Sequence, residues 1–172
     1  LRLRALREIL GNRGVAIIIE EIQPGTEAYE ATLALADSVL HQRRYLITPM
    51  PYALSSVLLG AFNADRRCVG FLRFLIQVIG AEEGRPPVSG PQGVALTEGF
   101  TEAFGVEPSE RRRGIGAALQ AEARRRCTAA GCYQMRSRSP VTSVENYAMK
   151  LAAGYVLHPS GENDSYYFIS KL

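Results

Sequence analysis

The stretch that most constrains this chain runs Val106-Glu107-Pro108-Ser109-Glu110-Arg111-Arg112-Arg113-Gly114-Ile115-Gly116-Ala117-Ala118-Leu119. A strand pattern ends at Val106, and Pro108 turns the chain. Three arginines and a Gly-x-Gly then lead directly into a helical pattern. The first turn of a helix carries N–H groups with no partner inside the helix, and the helix dipole makes that end positive. Glycines let an anion approach those groups with no Cβ in the way, and arginines add charge that pairs with phosphate oxygens. A strand, a glycine loop and a helix in this order make a phosphate site.

The kind of phosphate site is narrowed by what the loop lacks. A dinucleotide fingerprint requires a third glycine three residues after Gly116, where Leu119 stands. A nucleoside-triphosphate loop requires Gly-Lys-Ser/Thr, and no lysine follows Gly114 or Gly116. What remains is Arg111-x-x-Gly114-x-Gly116 preceded by Val-x-Pro. This resembles the signature of the GCN5-related N-acetyltransferase family, Arg/Gln-x-x-Gly-x-Gly/Ala after a strand.

The resemblance implies that acetyl-CoA is bound, with its pyrophosphate on Arg111, Arg112, Arg113, Gly114, Ile115, Gly116 and Ala117. It also implies that the strand before the loop splays from its neighbour. There Phe104, Gly105 and Val106 bind the pantetheine arm through their backbone. A second correspondence lies near the C-terminus, where Ala153-Gly154-Tyr155 stands for the Leu-Gly-Phe that ends the last helix of the family.

A length of 172 residues fits one domain, and the expectation is a single mixed α/β acetyltransferase domain over residues 1–172. A hydrophobic content of 47% with 22% charged residues is that of a soluble globular protein. The net charge of +3 is too small to argue for nucleic acid. Lys150 and Lys171 are the only lysines. No apolar run reaches membrane-span length, and no signal-peptide pattern opens the chain at Leu1, although the missing Met leaves the true N-terminus open. Cys68, Cys127 and Cys132 are odd in number and lack Cys-x-x-Cys spacing, so neither a disulfide framework nor a zinc site follows. With His41 and His158 the only histidines, no metal site is expected, and the cytoplasm is the expected compartment.

Taken in order, Leu1–Leu10 is predicted as a short helix and Val15–Ile19 as the first strand. Thr26 caps a helix to about His41, with Ala28, Ala31, Leu35 and Val39 as its apolar stripe. Residues 43–54, broken by Pro49 and Pro51, match the family's substrate-side loop or short second helix. Strands are expected over Ser55–Phe62, Cys68–Ile79 and Val94–Val106. The Gly- and Pro-rich segment from Gly80 to Gly93 is expected to be a mobile loop between the last two. A helix from Gly114 to about Ala130, a strand Tyr133–Ser139, a helix Ser143–Ala153 and a closing hairpin around residues 161–164 complete the order.

The implied reaction passes an acetyl group from acetyl-CoA by direct attack of an amine, a small molecule or a peptide. A homodimer is compatible with it, and no membrane partner is expected. An alkyl ammonium with a pKa of ~10.4 must lose a proton first. Strand alternation places Glu98, Phe100, Glu102, Phe104 and Val106 on one face, so Glu98 and Glu102 are the candidate bases. On the last helix, the family's usual Tyr, four residues before the glycine, is replaced by Lys150, and the usual Asn position falls on Ser143. The cofactor contact is therefore assigned to Asn146 and to Lys150, read as a solvated or phosphate-facing charge, and the candidate acid is Tyr147, the nearest phenol. The missing Tyr also admits a non-catalytic acyl-CoA-binding module, and the arginine clusters a nucleic-acid-binding role.

Overall fold

Residues 7–10, 16–161 and 164–172 are described by the computed structural model. The first strand, β1 (Arg7–Leu10), pairs antiparallel with β2 (Ala16–Glu21), Arg7 opposite Ile19 and Leu10 opposite Ala16. Where a helix was expected to cover Leu1–Leu10, the chain from Arg7 on is therefore a strand. The unfilled edge of the β-branched run Ile17-Ile18-Ile19 outweighs the helical spacing of so short a segment. Residues 1–6 and 11–15, and with them Val15, lie outside the described residues, as do residues 162 and 163 of the expected closing turn.

The elements that follow are α1 (Glu27–Leu40), α2 (Arg43–Ile47), β3 (Ala53–Phe62), β4 (Cys68–Val78), β5 (Thr97–Val106), α3 (Ile115–Ala129), β6 (Gln134–Pro140), α4 (Val144–Ala152), β7 (Val156–Pro159) and β8 (Ser165–Lys171). The α+β order matches the sequence reading from Thr26 onward. No described helix is long and apolar enough to cross a membrane.

The contacts divide the chain into two compact units, and β3, β4 and β5 each contribute to both. In the first unit the strands follow the order β1-β2-β3-β4-β5. Thr26 caps α1 through its side chain, which accepts from the Tyr29 N–H, and His41 closes the helix in the left-handed conformation. The helix packs through Leu33, Leu35 and Ala36, which join Ile22, Leu46, Leu58, Phe62, Phe71 and Ala103 in a buried cluster. Ala31, expected in the stripe, is exposed. The first turns of α3 lie close on β4, where a Cβ on Gly70 would come within 3.1 Å of Ile115 and Leu119.

In the second unit the order is β4-β5-β6-β8-β7. β6 lies parallel to β5 and antiparallel to β8, which in turn pairs antiparallel with β7. Met135, Phe168 and Cys127 are fully buried there. The segment 80–93, expected as a structureless loop, is held by a 3₁₀ turn at Ala81–Glu83, a bridge between Ser89 and Ala95, and the bonds Gly90 N–H to Val94 O and Leu96 N–H to Val88 O.

Candidate functional site

At the head of α3, the chain leaves β5 through a 3₁₀ turn, Pro108–Glu110, and Arg111 is extended. Arg112 has φ +62° and Gly114 φ +84°. The left-handed conformation suits Gly114, because it brings the backbone round in one step to start the helix at Ile115. Arg112 adopts it at a cost that glycine would not meet. By helix geometry the N–H groups of Ile115, Gly116 and Ala117 have no intrahelical acceptor, whereas Ala118 N–H reaches Gly114 O at 3.0 Å.

The first turn of α3 holds no acidic residue. Arg111 Nε donates to Val106 O at 3.2 Å, and the side chains of Arg111 and Arg112 are exposed. Arg113 pairs with Glu110, which Arg67 also meets at 3.0 Å. Two exposed arginines, a left-handed glycine and the first-turn amides of α3 thus follow one another along the chain, donors of the kind that suit an anion.

β5 reaches this loop through Phe104, Gly105 and Val106. Phe104 N–H donates to Gln42 Oε1 at 3.2 Å, and Glu107 N–H to Val69 O at 3.0 Å. A Cβ on Gly105 would meet the Phe71 ring at 2.7 Å, so this position admits only glycine without a shift.

The second group of residues lies along the parallel ladder of β5 and β6. β5 and β6 are parallel over Glu98–Thr101 and Gln134–Ser137. Past Thr101↔Ser137 each strand runs on, β5 to Val106 and β6 to Pro140. The residues Gly99, Thr101, Ala103 and Gly105 are buried along the whole of β5, while the alternate face changes from buried Glu98 and Phe100 to half-exposed Glu102, Phe104 and Val106. The two carboxylates on that face therefore have different environments.

Glu98 is 0% exposed and accepts from Arg136 Nη2 at 2.7 Å, Arg136 Nε at 3.1 Å, Gln134 Nε2 at 2.8 Å and Gln77 Nε2 at 3.0 Å. Arg136 also pairs with Glu82 and stacks over Tyr167, its carbon 4.6 Å from the ring centre. Burial pulls the Arg136 guanidinium down, and the bonds and charges of Glu98 and Glu82 outweigh it, so its pKa is raised. Tyr167 in turn donates to Glu83, and burial together with that carboxylate pushes the phenol up to about 12. Glu98 is thus a counter-ion in a network that fastens the 3₁₀ turn of the 80–93 segment to β6 and β8.

On α4, Asn146 Nδ2 donates to Ser139 Oγ at 2.8 Å, and Asn146 Oδ1 is buried with no donor among the described residues. The Tyr147 hydroxyl donates to Pro140 O at 3.1 Å, and its ring packs edge-on to Phe168 at 4.8 Å. Lys150, expected as a solvated or phosphate-facing charge, is 2% exposed. Its Nζ donates to Ser137 Oγ and lies 5.4 Å and 5.3 Å from the centres of the Tyr155 and Phe168 rings. Burial alone pushes this ammonium down to about 7. The reason for the difference is the helical face. Lys150 lies one turn after Asn146, and that face is turned toward β6 by the Asn146–Ser139 bond.

Sequence reasoning named Glu98, Glu102, Asn146, Tyr147 and Lys150 but missed Arg136, Gln77, Gln134, Glu82 and Ser137. The alternation Arg136-Ser137-Arg138-Ser139 in a strand was the one local signal, since two arginines on one face of a covered strand need counter-ions.

No family model matches the chain, and no curated protein matches it in sequence. Solved structures do match. The GNAT domain of S. lividans PAT shares 17% identity over 97% of this chain and 97% of its own, with a TM-score of 0.74. Arabidopsis thaliana NAA60 in complex with acetyl-CoA shares 16% over 91% of this chain and 98% of its own, TM-score 0.65. The IAA acetyltransferase from Bacillus cereus shares 16% over 91% and 99%, TM-score 0.60. The fold is that of the GCN5-related N-acetyltransferases.

Proposed function

We propose that this chain is an acetyl-CoA-dependent N-acetyltransferase that passes the acetyl group to an amine by direct attack. The observation that carries the reading is the course of β5. Its parallel ladder with β6 stops at Thr101↔Ser137, and the same strand then runs into the arginine–glycine loop at the head of α3. The donor set fits the cosubstrate. The amides of residues 113–117 and the Arg111 and Arg112 side chains suit a pyrophosphate. The backbone of Phe104, Gly105 and Val106 suits an extended amide-bearing arm. On α4, Asn146 Oδ1, buried with no donor among the described residues, is a separate acceptor for a ligand N–H. When bound, acetyl-CoA supplies an acyl group activated as a thioester.

The chain's own residues must then position the amine and remove its proton. Glu102 is the base in this reading, directly or through water, because it lies on the half-exposed part of the strand while both oxygens of Glu98 are occupied by Arg136, Gln134 and Gln77. Glu98 acts at one remove, by fixing β5 against β6. Acceptors are small-molecule or peptide amines, and a cytoplasmic setting suits the buried free thiols of Cys68, Cys127 and Cys132.

Calorimetry with acetyl-CoA, followed by CoA-thiol release against a panel of primary amines and peptide N-termini, tests the reading. Binding with amine-dependent release is the expected result. Binding without release from any amine would favour a non-catalytic acyl-CoA module, and absence of binding would refute both.

A further inference from the structure

We propose that Cys127 and Cys132 are a redox-active dithiol, which a peroxide converts into an intramolecular disulfide. The inference is independent of the acetyl-transfer reading and starts from the way α3 ends. Gly131 takes φ +75°, its N–H donates to Thr128 O at 3.0 Å, and Cys132 N–H donates to Cys127 O at 3.0 Å. This pair of bonds closes a helix on a left-handed glycine, and it brings the side chain just after the glycine onto one in the last turn of the helix. Apolar groups commonly fill that contact. In this chain both positions are cysteines.

The two thiols hydrogen-bond to each other, and Cys132 also bonds to Thr97 on β5. Gly99 on the same strand leaves the space they need, since a Cβ there would lie 2.3 Å from Cys127 Sγ. Thr97, Gly99 and both cysteines belong to the second unit. Cys68 belongs to the first, where it bonds to Thr32 Oγ1 at 3.6 Å and to Gly70 O at 3.5 Å.

The environments of the two thiols divide the chemistry between them. Cys127 is 0% exposed and Cys132 is 6% exposed. The bond from Cys127 holds the Cys132 thiol below its ordinary range, against burial, and that same bond together with burial pushes Cys127 up. The ionisable groups that act on Cys132 are Cys127 from α3 and Glu98 from β5. A thiolate is the nucleophile toward peroxide, so Cys132 attacks and Cys127 resolves.

The Cys132 thiolate sulfur bonds to one oxygen of the peroxide, the O–O bond breaks, and the other oxygen leaves as hydroxide. The product is a sulfenic acid. Cys127 sulfur then loses its proton and bonds to the sulfenic sulfur, whose S–O bond breaks and releases a second hydroxide. Protonation of both hydroxides gives water. The two sulfurs together lose two electrons, and the peroxide gains them.

Trypsin releases residues 127–136 as one peptide, between Arg126 and Arg136, so both cysteines are read together. Reduced full-length protein is treated with hydrogen peroxide, quenched with catalase, alkylated in denaturant and digested. The 127–136 peptide should be unalkylated and two hydrogens lighter than its reduced form, while Cys68 is alkylated. Dithiothreitol before alkylation should restore both labels. With dimedone present, Cys127→Ser should carry the sulfenic adduct on Cys132, and Cys132→Ser should carry none on Cys127. A doubly alkylated 127–136 peptide, after peroxide that fully oxidises free glutathione, would overturn the proposal, as would equal oxidation of Cys68. A dimedone adduct on Cys127 in Cys132→Ser would overturn the assigned roles. The wild-type peptide decides the disulfide whether or not either variant folds.

Discussion

Arg136 grips both oxygens of Glu98, Nη2 at 2.7 Å from Oε1 and Nε at 3.1 Å from Oε2, and the carboxylate is wholly out of water. Breaking a buried pair from one side leaves the other charge uncompensated. Glu98→Gln and Arg136→Met should each destabilise the protein by about 3–5 kcal/mol, whereas replacing both with apolar residues of similar volume should cost far less. Urea denaturation of the two single variants and the double variant measures this. A Glu98→Gln variant as stable as wild type would mean that the pair contributes no constraint, and Glu98 would return as a candidate base.

The helix end gives the sharpest binding test. Gly116→Glu puts a carboxylate and its bulk at the positive end of α3, where the first turn holds no acid. Acetyl-CoA affinity should fall beyond calorimetric detection while the circular dichroism spectrum stays that of the wild type. Retained affinity would move the pyrophosphate elsewhere.

For the base, Glu102→Gln should lower turnover by on the order of 10²-fold at neutral pH, with partial recovery as pH rises and free amine becomes abundant. The dependence of kcat/KM on pH shows this directly. A flat, pH-independent loss would indicate a structural role for Glu102 instead.

The buried lysine makes stability depend on pH. Its folded pKa, about 7, lies below the ordinary value of 10.5, so the unfolded chain holds the extra proton between those limits and stability rises with pH across that window. Lys150→Met removes the penalty. It should raise the melting temperature most below pH 7, with the gain fading toward pH 10.5. Thermal denaturation of the two proteins across this pH window checks it, and a gain that does not change with pH would count against a buried ammonium.

The parts of this fold that were legible in the sequence are those whose signals are local. The loop and α3 were announced by Gly114 and Gly116 in register with Val106 and Arg111, α1 by Thr26, and the end of α4 by Gly154. The strand at Arg7–Leu10 was not, because its partner is supplied by β2 and apolar spacing over so few residues reads equally well as helix. The order in the 80–93 segment was hidden for a different reason. Glu82 and Glu83 are fastened by Arg136 and Tyr167, 54 and 84 residues along the chain, and no local pattern reports such a pairing. The burial of Lys150 is likewise a property of the face that α4 turns to β6, and the sequence shows only that a lysine stands where a tyrosine was expected.

Arg112 carries one more consequence. It presents an exposed side chain two residues before Gly114 from a backbone with φ +62°, a conformation that costs an ordinary residue about 1–2 kcal/mol. Glycine there would relax the turn and discard a charge, so Arg112→Gly should fold more firmly and hold the pyrophosphate less well. The loop is a spring kept under tension, and in the proposed function a pyrophosphate is what rewards the tension.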